Sequence, residues 1–311
     1  MKILLSFTLC LAICGVVPSA RCAAGETNTA AVLQNRLDLA VKKTFAEFAA
    51  KNLQTNQLAV TLIDLTRPAA PVQASFRGDA AIYPASVIKL FYLVATHRWI
   101  EDGKLQDTAE LRRAMRDMIV ESYNEATHYV LDLLTDTTSG PELPAPELDQ
   151  WVYKRNTVNR YFVSVGYTHI NANKKPWCEG PYGREIQASK AYQPSRNSLT
   201  TDSTARLLAE IVRGKSISKA RSDEMMKLLE RDPFGISADP DDQAHGFSGS
   251  AVPPGGKLWS KAGWTSETRH DAAYIELPNG GRFVAVVFTV GHSNDREIIP
   301  FMVRGLMEAL R

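Results

Sequence analysis

The spacing of apolar and polar residues predicts that the chain begins with a helix followed by two strands. Apolar residues recur at helical spacing over 30–51, whereas 57–65 and 72–76 have the composition of strands. Residues 85–101 come next and are apolar on nearly every side of a helix. A helix of that kind is expected in the middle of a protein.

The middle of the chain has the pattern of a block of helices. Helical spacing covers residues 107–121, 123–134, 147–165, 200–213 and 217–231. Residues 135–147 are a proline-rich turn region. Residues 166–198 form a long polar stretch without periodicity, and such a loop in a compact domain is usually functional or disordered.

The end of the chain has the pattern of three strands and a closing helix. The strands are predicted at 257–265, 272–277 and 282–290, and the helix at 294–310. Asn279-Gly280 between the last two strands is a strong hairpin signal.

This order of elements predicts an α/β (α+β) fold class. We expect an antiparallel sheet built from both chain ends and flanked by helices, with an all-helical lobe inserted between them. Residues 25–311 would then form a single domain. Its sheet lobe would take about 25–84 and 250–311, and its helical lobe about 85–249.

The composition is that of an ordinary globular protein. Of the 311 residues, 44% are hydrophobic and 23% are charged. Lys2 and Arg21 are the only charged residues among the first 24, so of the 36 basic residues 34 remain, against 34 acidic ones. This balance argues against a nucleic-acid partner.

The first 24 residues have the pattern of a secretory signal peptide. Lys2 precedes an apolar stretch over 3–17, and 18–24 is rich in small residues. We expect cleavage after Ala24 and secretion across an inner membrane into a bacterial periplasm. A membrane anchor is the alternative for this segment. After cleavage we expect no membrane association, and a monomer.

Cysteines and histidines give no sign of a metal site or a cofactor. Cys10, Cys14 and Cys22 would leave with the leader, so Cys178 would remain without an intramolecular partner. The six histidines show neither His-x-His nor His-Glu-x-x-His spacing. We therefore expect neither a metal nor another cofactor.

Ser86 and Lys89 are the first candidates for chemistry. They lie three residues apart at the start of the most apolar segment, so in a helix they share one face. A partly desolvated lysine can lose its proton and activate a serine. Ser216 and Lys219 have the same spacing, so the spacing alone does not identify a catalytic pair.

Two further motifs support a catalytic interpretation of Ser86 and Lys89. Ser122-Tyr123-Asn124 lies at the junction of two predicted helices, and Lys261-Ala262-Gly263 lies on a strand before the final hairpin. With Ser86-Val87-Ile88-Lys89, they resemble the S-x-x-K, S-D-N and K-T-G or K-S-G motifs of serine β-lactamases and penicillin-binding proteins. The resemblance is closest to class A β-lactamases, covers nearly all of the chain after the leader, and implies the β-lactamase/transpeptidase-like fold.

The resemblance implies a catalytic role for three residues. Ser86 would be the nucleophile, and Lys89 the general base or a relay for one. Ser122 would pass a proton to the leaving lactam nitrogen.

It also implies a substrate-binding set. Asn124 would bind the amide side chain of the substrate, and Lys261 its carboxylate. The backbone N–H groups of Ser86 and Trp264, beside Gly263, would form the oxyanion hole, in which one donor is typically worth about 10²–10³ in rate.

The chain departs from the family pattern around the substrate carboxylate. Ala262 replaces Thr or Ser, so one hydroxyl is missing, and Thr265 or Ser266 is the expected substitute. Arg269 or His270 lies about where many class A enzymes place a second carboxylate-binding arginine.

A second departure concerns the walls of the site. Tyr123 replaces the family's Asp, which resembles penicillin-binding proteins more than strict class A enzymes. The stretch between Lys89 and Ser122 is shorter than the family's, so we expect a more open cleft.

The deacylating glutamate has two candidates in this sequence. The family's E-x-x-L-N string is absent, and the family's spacing counted back from Thr201 leads to Glu185, with Glu179 as the second candidate. Either could instead be a solvated loop acid. Without a carboxylate that activates water, an acyl-enzyme would form and persist.

The expected function is therefore a serine hydrolase that opens the β-lactam ring of penicillins or cephalosporins through an acyl-enzyme on Ser86. Its partner would be a small-molecule β-lactam or a peptidoglycan-like peptide. The alternatives are a D-Ala-D-Ala peptidase or slow-turnover homologue, and a sensor that is acylated only as a trap. The leader disfavours a cytosolic glutaminase, which shares Ser-x-x-Lys.

Overall fold

The computed structural model describes residues 20–177 and 180–310. Its helices are α1 (Ala20–Glu47), α2 (Lys89–Glu101), α3 (Ala109–Ile119), α4 (Asn124–Thr135), α5 (Ala145–Arg155), α6 (Thr157–Ser164), α7 (Gly183–Ala191), α8 (Thr201–Val212), α9 (Lys219–Leu229) and α10 (Ile298–Ala309). Its strands are β1 (Leu58–Asp64), β2 (Val72–Phe76), β3 (Glu230–Arg231), β4 (Lys257–Trp264), β5 (Thr268–Glu276) and β6 (Arg282–Val290). Most of the predicted leader, together with Cys178 and Glu179, lies outside the described residues.

The strands form one sheet in the order β2-β1-β6-β5-β4-β3, with antiparallel neighbours throughout. β1 from the beginning of the chain pairs with β6 from its end, which confirms the predicted sheet built from both ends. The hairpin between β5 and β6 closes with a 2.8 Å bond from the Leu277 N–H to the Gly281 carbonyl. Gly280 has a φ of 88° in that turn, a conformation that suits glycine.

The sheet separates two apolar clusters. One lies against α1 and α10 and includes Leu37, Val60 and Ile299. The other lies against the helical lobe and is centred on α2, in which every residue except Arg98 and Glu101 is buried. Burying each large apolar side chain stabilises the fold by about 1.5–3 kcal/mol. α2 is therefore the central helix that its pattern predicts, and its first turn is held firmly against the sheet.

Strand β5 begins four residues earlier than the sequence pattern predicts. Its first four residues are polar, yet Thr268, Arg269, His270 and Asp271 are all buried. Hydropathy does not reveal a strand whose buried residues are polar, because their burial depends on partners elsewhere in the fold.

Two further boundaries differ from the expectation. The helix predicted over 147–165 is broken at Asn156, whose side-chain amide donates to the Val152 carbonyl at 2.9 Å and satisfies a group at the end of α5. The polar stretch 166–198 contains α7, and the two-residue strand β3 lies within the range predicted for the helical lobe.

None of the described helices combines the length and the apolar character needed to cross a membrane.

Candidate active site

Ser86 lies in a single turn of 3₁₀ helix, Ala85–Ile88, which leads directly into α2. Ala85 has a φ of 45°, a left-handed conformation that costs a residue with a Cβ about 1–3 kcal/mol and persists only where its surroundings impose it. The buried helix behind the turn and the sheet beside it supply those surroundings. Ser86 is itself half-buried, at the point where the two lobes meet.

Lys89 begins α2 and is fully buried. Its Nζ donates to the Ser122 carbonyl at 2.6 Å and to Asn124 Oδ1 at 2.9 Å, and lies 3.3 Å from Ser122 Oγ. Ser122 has a φ of 58°, so the turn between α3 and α4 presents both its carbonyl and its hydroxyl to the lysine. The first two motifs therefore meet through Lys89.

Lys261 brings the third motif to the same hydroxyl. Its Nζ lies 3.0 Å from Ser122 Oγ, so this oxygen contacts the amines of both Lys89 and Lys261. Burial holds the pKa of Lys261 well below its usual value, and nearby Lys89 and Arg231 lower it further, whereas Asp271 opposes the shift. Two buried amines around one hydroxyl favour loss of a proton from the cluster, which is the condition for general-base catalysis.

Gly263 brings β4 against the turn that carries Ser86. A Cβ at this position would lie 2.7 Å from the Ser86 nitrogen and 2.8 Å from the Val87 nitrogen, so only glycine fits. Thr265 N–H donates to the Thr268 carbonyl. Since donors alternate along an antiparallel pair, the Trp264 N–H points away from β5, toward the edge of β4. Gly263 thus brings the Ser86 nitrogen close to β4, one residue before Trp264.

The duplicate Ser-x-x-Lys motif has no comparable surroundings. Lys219 is 80% exposed and pairs with Asp223 at 2.7 Å on the surface of α9.

The structure places the predicted carboxylate-binding residues differently from the expectation. His270 is fully buried: its Nε2 bonds to the Tyr83 carbonyl at 2.9 Å, and its Nδ1 accepts from the Thr289 N–H at 3.1 Å. Burial lowers the pKa of His270 to about 4. Its contacts therefore correct the expectation of a substrate-binding cation, because the ring is neutral and both nitrogens are used within the fold.

Arg269 is also held within the fold. Its guanidinium donates to Asp241 at 2.8 Å and to the Gly246 carbonyl, and it packs 4.0 Å from the Phe247 ring centroid. Arg269 is only 2% exposed, so the expectation that it binds the substrate carboxylate is corrected as well: its role is structural.

The hydroxyl of Thr265, which was expected to replace the one missing at Ala262, makes its hydrogen bonds within the turn after β4. Thr265 Oγ1 accepts from the N–H groups of Glu267 and Thr268 at 3.1 and 3.2 Å. Ala262 packs in the apolar cluster beside α10, so a hydroxyl at that position would be buried among apolar side chains.

Glu185 is not part of the Ser86 cluster. Its carboxylate accepts from Ser139 Oγ at 2.9 Å and Arg155 Nη2 at 2.8 Å, and lies 3.5 Å from Lys175 Nζ. Asp132 completes this buried network by binding the same two cations. These contacts correct the expectation for Glu185: it ties the loop residue Lys175 to the helical lobe.

The loop before Glu179 is anchored next to the Asn124 helix. His128, one turn after Asn124 in α4, bonds through Nε2 to the Pro176 carbonyl at 2.5 Å. The Trp177 ring packs on the His128 ring with centroids 4.3 Å apart. Glu179 follows two residues later and lies outside the described residues.

Gln243 is a functional candidate that sequence reasoning missed. It is buried, its Oε1 accepts from Lys261 Nζ, and its amide nitrogen donates to carbonyls just before Ser122. A single glutamine in the polar segment between β3 and β4 carries no motif that could have identified it.

Comparison with known proteins identifies the family. A sequence model of the β-lactamase enzyme family matches residues 40–304, which is most of the chain. The chain belongs to the β-lactamase enzyme family.

Individual relatives are distant. Golvesin from Dictyostelium discoideum is 23% identical over 228 residues, which cover 71% of this chain but only 38% of golvesin. A β-lactamase from Sphaerobacter thermophilus superposes with a TM-score of 0.63 at 20% identity, over 89% of this chain and 97% of that protein. A variant of PBP-A, solved as an acyl-enzyme with penicillin G, superposes with a TM-score of 0.60 at 18% identity. The superposition covers 89% of this chain and 95% of PBP-A.

At these identities the solved structures establish the fold alone. The match to the family model adds the family to which the chain belongs. The chain belongs to the serine β-lactamase and penicillin-binding protein superfamily. In the part of the chain that the structure describes, no three His, Cys, Asp or Glu side chains are grouped as they would be around a metal ion.

Proposed function

We propose that the protein opens β-lactam rings through an acyl-enzyme on Ser86. The observation that carries the proposal is the Ser122 hydroxyl held between the Lys89 and Lys261 amines, 3.3 and 3.0 Å away, beside the turn of Ser86. This arrangement brings a base and a proton donor next to the turn that carries the nucleophile, and acyl transfer requires these three groups.

Acylation uses these groups in one sequence. Ser86 Oγ attacks the lactam carbonyl carbon as its proton passes to the neutral amine of Lys89. The carbonyl oxygen gains negative charge and is stabilised by the N–H groups of Ser86 and Trp264. The carbon–nitrogen bond then breaks while Ser122 gives its proton to the nitrogen and takes one back from Lys89. The product is an ester on Ser86 with an opened ring.

Repeated turnover of a chromogenic cephalosporin tests this proposal. We expect the wild-type protein to hydrolyse it and S86A to lose the activity by at least about 10³-fold, since the nucleophile is gone. S216A is the matched control, because it removes the serine of the duplicate motif, and it should retain wild-type activity. Equal activity in S86A and the wild type would reject Ser86 as the nucleophile.

A slow-turnover penicillin-binding protein is the second candidate. It is favoured by the position of Glu185, which is tied to Arg155 and Lys175 and so is not available to activate water. Deacylation then depends on Glu179, the remaining candidate from the sequence. If Glu179 does not act as the base, the ester on Ser86 persists.

Substitutions of the two candidate glutamates separate these possibilities. We expect E179Q to accumulate the adduct that the wild type hydrolyses, because water loses its base. E185Q should leave the lifetime of the adduct unchanged but lower the free energy of unfolding by about 3 kcal/mol, since a buried charge pair is broken. Intact-mass spectra and urea unfolding measure both effects. A trapped adduct in E185Q would restore Glu185 as the base, and a lasting adduct in the wild type would favour the second candidate.

We also propose a location and a partner for the protein. The signal-like pattern of residues 1–24 supports secretion into a periplasm and release from the membrane after cleavage. The proposed partner is a small β-lactam or a peptidoglycan-like peptide, bound by a monomer.

A further inference from the structure

Gln243 makes four hydrogen bonds that link two parts of the site. Its Oε1 accepts from Lys261 Nζ and, at 3.2 Å, from the Ala262 N–H. Its Nε2 donates to the carbonyls of Ile119 at 3.0 Å and Val120 at 2.8 Å. One buried side chain therefore joins strand β4 to the end of α3, just before Ser122.

The orientation of the Gln243 amide follows from its partners. Two of them are carbonyls, which only accept, and two are N–H groups, which here only donate. A flipped amide would place like groups against each other at all four contacts. The side chain thus uses its full hydrogen-bonding capacity, and its oxygen must face Lys261.

Lys261 needs acceptors because it is completely buried. The charged groups that act on it are Lys89 from α2, Arg231 from β3 and Asp271 from β5. Two of these three are cations, so the surroundings disfavour the ammonium form. Its acceptors are Ser122 Oγ, the Ala262 carbonyl and Gln243 Oε1.

We propose that Gln243 is a positioning residue that keeps Lys261 protonated and directed at Ser122 Oγ. The proposal rests on the proposed function, in which the Lys261 ammonium binds the substrate carboxylate. Gln243 also accepts from the backbone N–H of Ala262, the residue after Lys261. It acts through Lys261 and does not touch the reacting atoms.

Two variants that both lose the amide donors of Gln243 test the proposal. Q243M and Q243E both remove the amide donors to Ile119 and Val120, but they differ in what they offer Lys261. Methionine has no strong acceptor, so the ammonium form is weakened, whereas a carboxylate stabilises it. The measurements are acylation by a fluorescent penicillin across pH and thermal unfolding.

We expect the alkaline limb of the pH profile of the acylation rate to shift in opposite directions in Q243M and Q243E. Binding through the Lys261 ammonium is lost as pH rises through its pKa, so the limb should move to lower pH in Q243M and to higher pH in Q243E. Near neutral pH, Q243M should acylate on the order of tenfold more slowly, because a bond to a charged group is lost. The loss should appear as a higher apparent dissociation constant.

Q187M is the matched control. Gln187 in α7 is likewise bonded to one backbone N–H and one carbonyl, both of Leu143, but it has no contact with the three motifs. It should change unfolding without changing the pH profile. An unchanged profile, or shifts in the same direction in both Gln243 variants, would overturn this proposal alone. A wild-type protein that is never acylated would instead overturn the proposed function.

Discussion

At the residue scale, the site is a cluster of buried amines around one hydroxyl. Ser122 Oγ is shared by Lys89 and Lys261, and each lysine has further oxygen acceptors that position it. The motif residues could be predicted from sequence because each belongs to a short pattern. Gln243 and the partners of Glu185 could not, because their roles arise only when distant segments pack together.

Another buried residue gives a prediction about stability and pH. His97 in α2 is 1% exposed, and neither ring nitrogen makes a hydrogen bond among the described residues, although Nδ1 lies 3.5 Å from Glu224. Burial lowers the pKa of His97 from 6.5 to about 4. Between these values the unfolded chain binds a proton that the folded protein does not, so stability falls as pH drops toward 4.

H97L removes this titration without removing a hydrogen bond. We expect the loss of unfolding free energy between pH 7 and pH 4.5 to be smaller in H97L than in the wild type by about 2 kcal/mol. Urea unfolding at several pH values measures it. H169N, at an exposed histidine, is the control and should follow the wild type. The same pH dependence in H97L and the wild type would contradict the account.

At the element scale, strand β4 and the turn before α2 are fitted to each other through Gly263. The missing side chain lets the strand approach the nitrogens of Ser86 and Val87. The element types at this junction were predictable from hydropathy. The start of β5 and the break at Asn156 were not, because buried polar residues and a side-chain bond to the backbone decide them.

G263A tests this fit. The added Cβ would lie within 3 Å of backbone atoms on both sides of Ser86, so the strand must move and one oxyanion donor is displaced. We expect acylation to slow by about 10²-fold or more. G281A, at the far end of the sheet, meets only flexible side chains, with the nearest atom at 3.2 Å, and should acylate normally. A G263A protein that is acylated at the wild-type rate would show that the contact does not position the site.

At the scale of the whole molecule, the site lies where the two lobes meet. The helical lobe supplies Ser86, Lys89 and Ser122, whereas the end of the chain returns through the sheet to supply Lys261 and Trp264. The order of predicted elements was enough to indicate this architecture, because helices inserted between strands of one sheet are expected to pack against that sheet. The positions of Lys175 and Glu185 could not be predicted, since they depend on ion pairs with residues of other helices.

The most direct test of the central claim is a time course of intact mass after penicillin is added. The account predicts that the wild-type protein gains the mass of one penicillin molecule while S86A gains none. The wild-type mass then returns to its original value if deacylation is efficient, and stays raised if turnover is slow. A wild-type protein that shows neither an adduct nor turnover, or an S86A variant that carries the same adduct, would contradict it.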